Sequence, residues 1–357
     1  MKLKEIKRVF VFRPFNKHMS AQTRIIKVLK GEIPDRVPYF EIDISPQVVK
    51  EISGKETFTE KEISRCMHRD HIVWWGYPDP FVQRKEGKNG IQYQTEGVIK
   101  NEDDLRIIDH MPCVLTLSDG RRELVKCSGP EDKQIYNSAE KFIKEKEEFA
   151  ASAIVNLGID CTMRSMGVKG FSYALYDNPD LIKRVLDKYV EWNCVIIEKL
   201  INIGFDFFCA ADDLAFDTGP FFSPQTFRDL ILPRVKQVAE KITIPWVFHS
   251  DGNLIPIIDD LLTLGMNGLH PIDPNCMDII QVKRDYGKRV CVVGNIDLNL
   301  LSNAEPDEVE EEVRRKIEAL APGGGYIISS GNSIPGYAKV ENVKRMMEAI
   351  LKYGQYK

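Results

Sequence analysis

The sequence predicts an α/β fold, a closed (β/α)8 barrel of the TIM-barrel type, from three observations. From about residue 154 onward, short buried apolar runs alternate with amphipathic helical segments, as in a parallel sheet covered by helices. Two earlier strands bring the count to eight, the number that closes such a barrel. The chain has 357 residues, of which 43% are hydrophobic, and this length is sufficient for a full barrel core.

The predicted elements follow in chain order. A helix with Ser20 as its N-cap covers 21–30, and the first two strands cover 36–43 and 71–75. Further strands are predicted at 154–161, 205–210, 246–249, 268–270, 290–294 and 325–329, and helices at 179–203, 224–241, 254–264, 277–286, 306–320 and 340–353. Between 80 and 130, short alternating segments are separated by Asn89-Gly90 and Asp119-Gly120, which predict an inserted β-hairpin region after the second strand.

We expect one domain at 19–357, preceded by an N-terminal extension at 1–18. Met19 stands directly before the first capped helix, so Met1 and Met19 are both open as the translational start. The net charge is −4, with acids and bases interspersed, which argues against nucleic acid and membrane surfaces as partners. The absence of a signal-peptide core and of paired cysteine motifs predicts a cytoplasmic protein with reduced thiols.

Polar side chains follow the predicted strands at their carboxyl ends, where catalytic groups collect in barrels. They include Glu41, Asp43, His71, Arg164, Asp212-Asp213, His249, Asp251, His270, Asn295, Asp297 and Asn332. If the barrel closes, all of these converge on one mouth.

Three of these features have two interpretations each. His249 fits either a metal ligand or a hydrogen-bonded structural histidine. The adjacent acids Asp212 and Asp213 fit either one acid facing the mouth with the other facing the adjoining wall, or one acid capping the segment that follows. Trp75, in the cluster Trp74-Trp75-Gly76-Tyr77, fits either a pocket wall or ordinary barrel packing.

Several motifs, taken in chain order, resemble the uroporphyrinogen decarboxylase superfamily from about Met19 to the end. They are Arg24 with Pro34-Asp35-Arg36-Val37-Pro38, Phe205-Asp206 before Asp212-Asp213, Gly219-Pro220-Phe221-Phe222-Ser223-Pro224, His249-Ser250-Asp251-Gly252-Asn253, Gly294-Asn295-Ile296-Asp297, and Gly323-Gly324-Gly325-Tyr326 through Gly331-Asn332. The resemblance implies the same barrel. The superfamily contains true decarboxylases and cobalamin-dependent methyltransferases, including methylcobalamin:coenzyme M methyltransferases and O-demethylating enzymes.

The resemblance is closer to the methyltransferase branch. The decarboxylases of the superfamily carry an arginine-rich segment after the first strand, which clamps the substrate carboxylates. Residues 39–46 here are acidic and contain no arginine. The methyltransferases of the superfamily bind zinc through a His-x-Cys pair after the fifth strand and a later cysteine. His249 matches the first ligand, while Asp251 and Asn332 stand where the cysteines would be.

The resemblance therefore implies a cobalamin-dependent methyltransferase with a changed metal site. Oxygen ligands make a more electrophilic metal than thiolates do, which suits an ether oxygen, so we expect a small methyl donor such as a methoxylated aromatic compound. We expect a zinc Lewis acid held by His249 and Asp251, with Asp213 or Glu41 as an optional further ligand. The expected catalytic residues are His249, Asp213 and Asp251. The residues expected to bind substrate are Glu41, Asp43, Trp75, Arg164, His270, Asn295 and Asn332.

The methyl acceptor is expected to be the corrinoid of a separate protein, because the chain has no Asp-x-His-x-x-Gly corrinoid signature. A homodimer is an open option for its assembly. Two other functions remain open: a decarboxylase of the uroporphyrinogen type, and a metal-free barrel that binds a ligand or a corrinoid protein without catalysis.

Overall fold

A computed structural model describes residues 19–79, 84–86, 92–94, 96–117 and 121–356. The predicted extension at 1–18 and the dipeptides Asn89-Gly90 and Asp119-Gly120 lie outside these ranges. In the described part of the chain, no helix has both the length and the apolar character needed to cross a membrane. All eight cysteines lie in this part and are unpaired.

The structure is an α/β fold built on a parallel sheet. Its strands are β1 (His71–Pro78), β2 (Arg84–Glu86), β3 (Gln92–Gln94), β4 (Cys113–Thr116), β5 (Arg122–Val125), β6 (Ala150–Val155), β7 (Phe207–Ala211), β8 (Ala215–Phe216), β9 (Gly219–Pro220), β10 (Trp246–His249), β11 (Gly268–His270), β12 (Cys291–Val293) and β13 (Tyr326–Ile327). The main sheet has the order β13-β12-β11-β10-β7-β6-β1-β4-β5, and the steps from β13 to β1 are parallel. β4 and β5 continue it as antiparallel strands, and β2 pairs with β3 in a separate antiparallel ladder.

Helices separate most of the parallel strands. They are α1 (Ala21–Leu29), α2 (Pro46–Ser53), α3 (Glu60–Met67), α4 (Lys133–Lys144), α5 (Ile159–Met166), α6 (Val168–Asp177), α7 (Pro179–Ile203), α8 (Pro224–Thr226), α9 (Leu232–Ala239), α10 (Ile258–Leu262), α11 (Ile279–Tyr286), α12 (Leu298–Asn303), α13 (Pro306–Leu320) and α14 (Val340–Tyr353). A π-helical turn joins α8 to α9, and two 3₁₀ segments cover Glu102–His110 and Ile255–Ile257. The predicted bounds of α7, α13, α14, β10 and β11 are confirmed residue for residue.

Strand side chains alternate between two apolar layers, and this alternation decides which residues point inward. One cluster lies inside the sheet and contains Val73, Phe207, Cys209 and Val247, closed at the amino end by Ile25 and other residues of α1. The intervening strand residues pack outward against the helices. Because strand side chains alternate with a period of two, the residues two positions after Val247 and Cys209 also face inward.

The predicted first strand, 36–43, is corrected by the structure. The segment makes isolated pairings, among them a parallel one between Tyr39 and Ile328. On the β1 side, the Tyr39 N–H donates to the Asp70 carboxylate at 2.8 Å, and the Glu41 N–H donates to His71 Nε2 at 3.3 Å. Since side chains take the place of backbone carbonyls on that side, a regular ladder does not form. The segment still joins the sheet ends, because Phe40 bonds to Ile328 and Asp70 bonds to Tyr39 through their backbones.

The strand predicted at 154–161 is also wrong at both ends. β6 begins at Ala150 and ends at Val155, and α5 begins at Ile159. The chain turns at Gly158, whose φ of +117° lies in the left-handed region that favours glycine. Asn156 Oδ1 accepts the Gly158 N–H at 2.6 Å, which fixes the turn.

A buried ion network holds the junction between the first segment and β1. The side chain of Asp70 is 1% exposed and contacts Arg24 Nη1 at 2.5 Å and Arg36 Nη2 at 2.9 Å. Arg24 also pairs with Asp35 at 2.6 Å. We predict that Asp70→Asn lowers the free energy of unfolding by about 3–5 kcal/mol, because it leaves two arginines without their shared buried charge.

Urea unfolding measures this effect. The matched control is Asp109→Asn, which removes an ion pair with Lys188 at a site where Asp109 is 52% exposed, and it should cost less than about 1 kcal/mol. Equal stabilities of the Asp70→Asn variant and the wild type would contradict the structural role of this network.

Candidate active site

A cavity of about 220 Å³ opens at the carboxyl ends of β6, β7 and β10. Seven of the residues predicted from the sequence line it: Asp43, Trp75, Arg164, Asp213, His249, Asp251 and Asn332. We call it the strand-end cavity. A larger cleft, of about 440 Å³, lies near α3 and α4, but it contains none of the polar groups that follow the parallel strands.

Three potential metal ligands meet in the strand-end cavity. One side-chain atom from each of Asp213, His249 and Asp251 lies within 4.8 Å of the others. His249 Nε2 is 3.9 Å from Asp213 Oδ1, too far for a hydrogen bond but close to twice a zinc–ligand bond of about 2.1 Å. One cation can therefore contact both atoms.

Asp251 presents an oxygen that the described protein atoms do not satisfy. Its Oδ1 is buried without a hydrogen-bond partner, whereas its Oδ2 accepts a hydrogen bond from Asn332 Nδ2. Its backbone N–H donates to Asp213 Oδ1 at 3.0 Å, which fixes the two acids relative to each other. A buried unsatisfied carboxylate oxygen is costly, and a cation is one group that would satisfy it.

The electrostatics of the cavity also favour a cation. Burial raises the pKa of Asp251 to about 7, and the charges of Asp213 and Asp273 act in the same direction. Burial raises the pKa of Asp160 to about 6, opposed by Arg164. Burial lowers the pKa of His249, which favours the neutral imidazole that a metal requires.

The two adjacent acids after β7 divide as the alternation of a strand requires. Asp213 lies on the inner side and lines the cavity. Asp212 faces the wall, where it accepts the backbone N–H groups of Leu157 at 2.5 Å and Asp160 at 2.9 Å. Asp212 therefore caps the first turn of α5. The predicted division into a mouth-facing and a wall-facing acid is confirmed, but the helix that Asp212 caps precedes it in the chain and is not the segment that follows.

Three predicted residues do not line the cavity. Glu41 is on the opposite side of its segment from Phe40 and accepts two hydrogen bonds from Ser330, at 2.7 and 2.6 Å. Asn295 turns away after β12, and its Oδ1 accepts a hydrogen bond from Lys316 Nζ at 2.6 Å. His270 lies beside His249 on the neighbouring strand and is fully buried, with 2.7 Å between their Nδ1 atoms.

The structure adds cavity residues that the sequence reasoning missed, chiefly Asp160. Asp160 and Arg164 lie four positions apart on α5, and Arg164 Nη1 is 3.4 Å from Asp160 Oδ2. This spacing is a recognisable helical pair. It was missed because Asp160 fell inside the region that was predicted as a strand.

The β4–β5 ladder contributes to one side of the cavity. Arg122 on β5 contacts the Asp43 carboxylate. Its guanidinium carbon also lies 4.3 Å from the centre of the Trp75 ring, a cation–π distance. Trp75 is therefore held as a cavity wall, while Trp74 is fully buried in the core.

A second group of possible ligands, Asp217, Asp273 and Cys276, is less suited to a metal. Asp273 Oδ1 already accepts the backbone N–H and side-chain amide of Asn275. Burial raises the pKa of Cys276 to about 12, which disfavours the thiolate needed for coordination. The first group is the better candidate.

Comparison with known proteins finds both methyltransferases and decarboxylases among the relatives of the chain. The family model described as Uroporphyrinogen decarboxylase (URO-D) matches residues 150–353. A methylcobamide:CoM methyltransferase, MtaA, from Methanosarcina barkeri is 25% identical over 185 residues, which are 52% of each chain. A uroporphyrinogen decarboxylase from Coxiella burnetii is 26% identical over 186 residues, 49% of this chain and 48% of that protein. The chain is thus matched over about half the length of these curated relatives.

Among solved structures, a methyltransferase from Methanosarcina mazei superposes with a TM-score of 0.66 at 17% identity. The superposition covers 94% of this chain and 99% of the other. At this identity it shows a shared fold, of the TIM-barrel-like α/β class.

Glu41 generates a prediction of pH dependence. Burial raises its pKa from 4.5 to about 8, although the hydrogen bonds from Ser330 oppose the shift. Because the folded-state pKa is above the unfolded one, the associated stability is fully present below about pH 4.5 and is lost as the pH rises through about 8. We predict that, as the pH rises from 5 to 9, the free energy of unfolding of Glu41→Gln increases relative to that of the wild type, by on the order of 3–5 kcal/mol.

Urea unfolding of both proteins across this range checks the prediction. The comparison isolates Glu41, because Asp160, Asp212 and Asp251 also have raised pKa values but are present in both proteins. A constant difference between the two stabilities would contradict it.

Proposed function

The chain belongs to the uroporphyrinogen decarboxylase family, and on that premise we propose that it is a methyltransferase. It transfers a methyl group from a small methylated donor to the corrinoid of a separate protein. The observation that carries this proposal is the ligand group of Asp213, His249 and Asp251, with the unsatisfied Asp251 Oδ1. The size of the cavity, about 220 Å³, favours a small donor, since the pockets that bind drug-sized ligands have volumes of about 300–1,000 Å³.

The ligand group fits a divalent cation of the zinc type. Nitrogen and oxygen ligands both suit zinc, and a neutral His249 with two acids supplies that set. A cation bound there would supply Lewis-acid polarisation of the donor's ether oxygen. Asp251 and Asn332 stand where the resemblance to methyltransferases implies cysteines. A site without these thiolates suits an ether methyl donor, such as a methoxylated aromatic compound, better than it suits activation of a thiol methyl acceptor.

Residues of the chain orient the donor and the ligands. Asn332 donates to Asp251 Oδ2, so this carboxylate is held with Oδ1 free. We assign Trp75 as a flat wall for the donor, and Arg164 and Asp160 as the polar side of the cavity. A corrinoid is too large for this cavity, so we propose that it is presented at the mouth by its own protein.

A decarboxylase of the uroporphyrinogen type is the second candidate, because such enzymes are as similar to this chain as the methyltransferase is. The charge of the cavity argues against it. Four acids line the described wall, Asp43, Asp160, Asp213 and Asp251, and they outnumber the two nearby arginines, Arg164 in the wall and Arg122 beside Asp43. A substrate with many carboxylates would be repelled.

We predict that His249→Ala loses bound metal and lowers methyl transfer at least 100-fold, because it removes the nitrogen ligand from the cation. The metal content of the wild type, purified without added metal, is measured by elemental mass spectrometry and should be close to one zinc per chain. The control, His110→Ala, removes an exposed histidine outside the cavity and should change neither property.

Metal content, methyl transfer and a separate assay of uroporphyrinogen decarboxylation distinguish the alternative functions. Wild-type methyl transfer by His249→Ala would exclude the proposed role of His249. A wild type without metal would favour the metal-free binding barrel. Enzymatic decarboxylation of uroporphyrinogen by the wild type would favour the second candidate.

A further inference from the structure

His249 and His270 form an isolated pair beneath the strand-end cavity. The residues are in register on the neighbouring strands β10 and β11, so their side chains emerge side by side. Their Nδ1 atoms are 2.7 Å apart, and the rings are 5.0 Å apart between centroids. His249 is 7% exposed, whereas His270 is fully buried. Only His249 therefore reaches the cavity.

The surroundings of His270 leave its side chain a single polar contact among the described residues. Its Nε2 is buried without a hydrogen-bond partner. Its ring lies edge-on to Phe40, with 5.1 Å between the ring centroids. His71 also contacts Phe40: it stacks on that ring, and it bonds to Ser152 and to the Glu41 N–H instead of to His249. Among the described residues, the Nδ1 contact with His249 is thus the one hydrogen bond that the His270 side chain makes.

The chemistry of imidazole fixes the direction of this bond when a cation is present. A neutral imidazole carries one N–H. If His249 binds a cation through Nε2, the atom on the side of Asp213, its proton is on Nδ1. In the described structure, the acceptor within reach of that proton is His270 Nδ1, so the proton of His270 must be on Nε2.

We infer that His270 is a positioning residue for His249: it accepts the Nδ1–H of His249 and thereby holds the Nε2 lone pair toward Asp213 and Asp251. His270 does not contact the donor, and it acts only through the orientation and tautomer of His249. A histidine that binds a metal commonly donates its other N–H to such a partner, and loss of that partner weakens metal binding 10–100-fold. This inference rests on the metal site of the proposed function and adds to it a residue outside the cavity.

The test compares two substitutions of His270 by zinc affinity, measured in competition with a chromophoric chelator. His270→Phe keeps a ring against Phe40 but removes the acceptor, so zinc should bind 10–100-fold more weakly. His270→Gln supplies an amide oxygen and should recover most of the affinity. His71→Phe makes the same change at the other buried histidine that contacts Phe40, and it should leave zinc affinity unchanged.

A second readout reports the tautomer directly. In ¹⁵N spectra of the zinc-loaded wild type, the proton of His270 should be on Nε2. A proton on His270 Nδ1, or wild-type zinc affinity in the folded His270→Phe variant, would overturn the inference. A weakened variant that the glutamine does not rescue would also overturn it, since that result indicates a packing role.

The outcomes separate this inference from the proposed function. If His270→Phe binds zinc more weakly and the wild type transfers no methyl group, the role of His270 is supported and the methyltransferase function is not. A wild type that binds no zinc would overturn both. Methyl transfer with unchanged zinc affinity in the variant would overturn the role of His270 alone.

Discussion

The buried carboxylate of Asp70 is the interaction on which the rest of the structure depends. It lies where the first segment meets β1, the point at which the ends of the parallel sheet come together. Two arginines and the Tyr39 N–H share this one charge. A side chain thus fixes the path of a segment that lacks a regular ladder, and the positions of Phe40, Ile42 and Asp43 along the inner wall follow from that path.

Once the sheet is fixed, strand alternation distributes the polar groups. Val247 and Cys209 face the inner cluster, so His249 and Asp213, two and four positions later, face the same way. Asp212 faces the other way and holds the start of α5. One β-strand end therefore supplies both a candidate ligand and a helix cap, and the cap in turn orients the helix that carries Asp160 and Arg164.

The sequence predicts those parts of the fold and site that depend on local pattern. The bounds of α7 follow from Asn178 and Pro179 at its start and Gly204 after its end. The course of 36–43 could not be predicted in this way, because the partners of its N–H groups are side chains 30 residues or more away. Long-range packing also explains His270. The sequence predicts it at the mouth, whereas contact with Phe40 leaves it fully buried beside His249.

The site also shows how one neighbour can determine the chemistry of another. Asn332 holds one oxygen of Asp251, so the other is left without a protein partner in a buried position. His270 holds one nitrogen of His249, so the other faces the same space. In both cases a neutral neighbour contacts one atom of a candidate ligand and leaves the second atom without that contact. Because these neighbours add no charge, a divalent cation bound by the proposed ligand group would be balanced by two acids and a neutral imidazole, and it would be more electrophilic than a cation bound by thiolates.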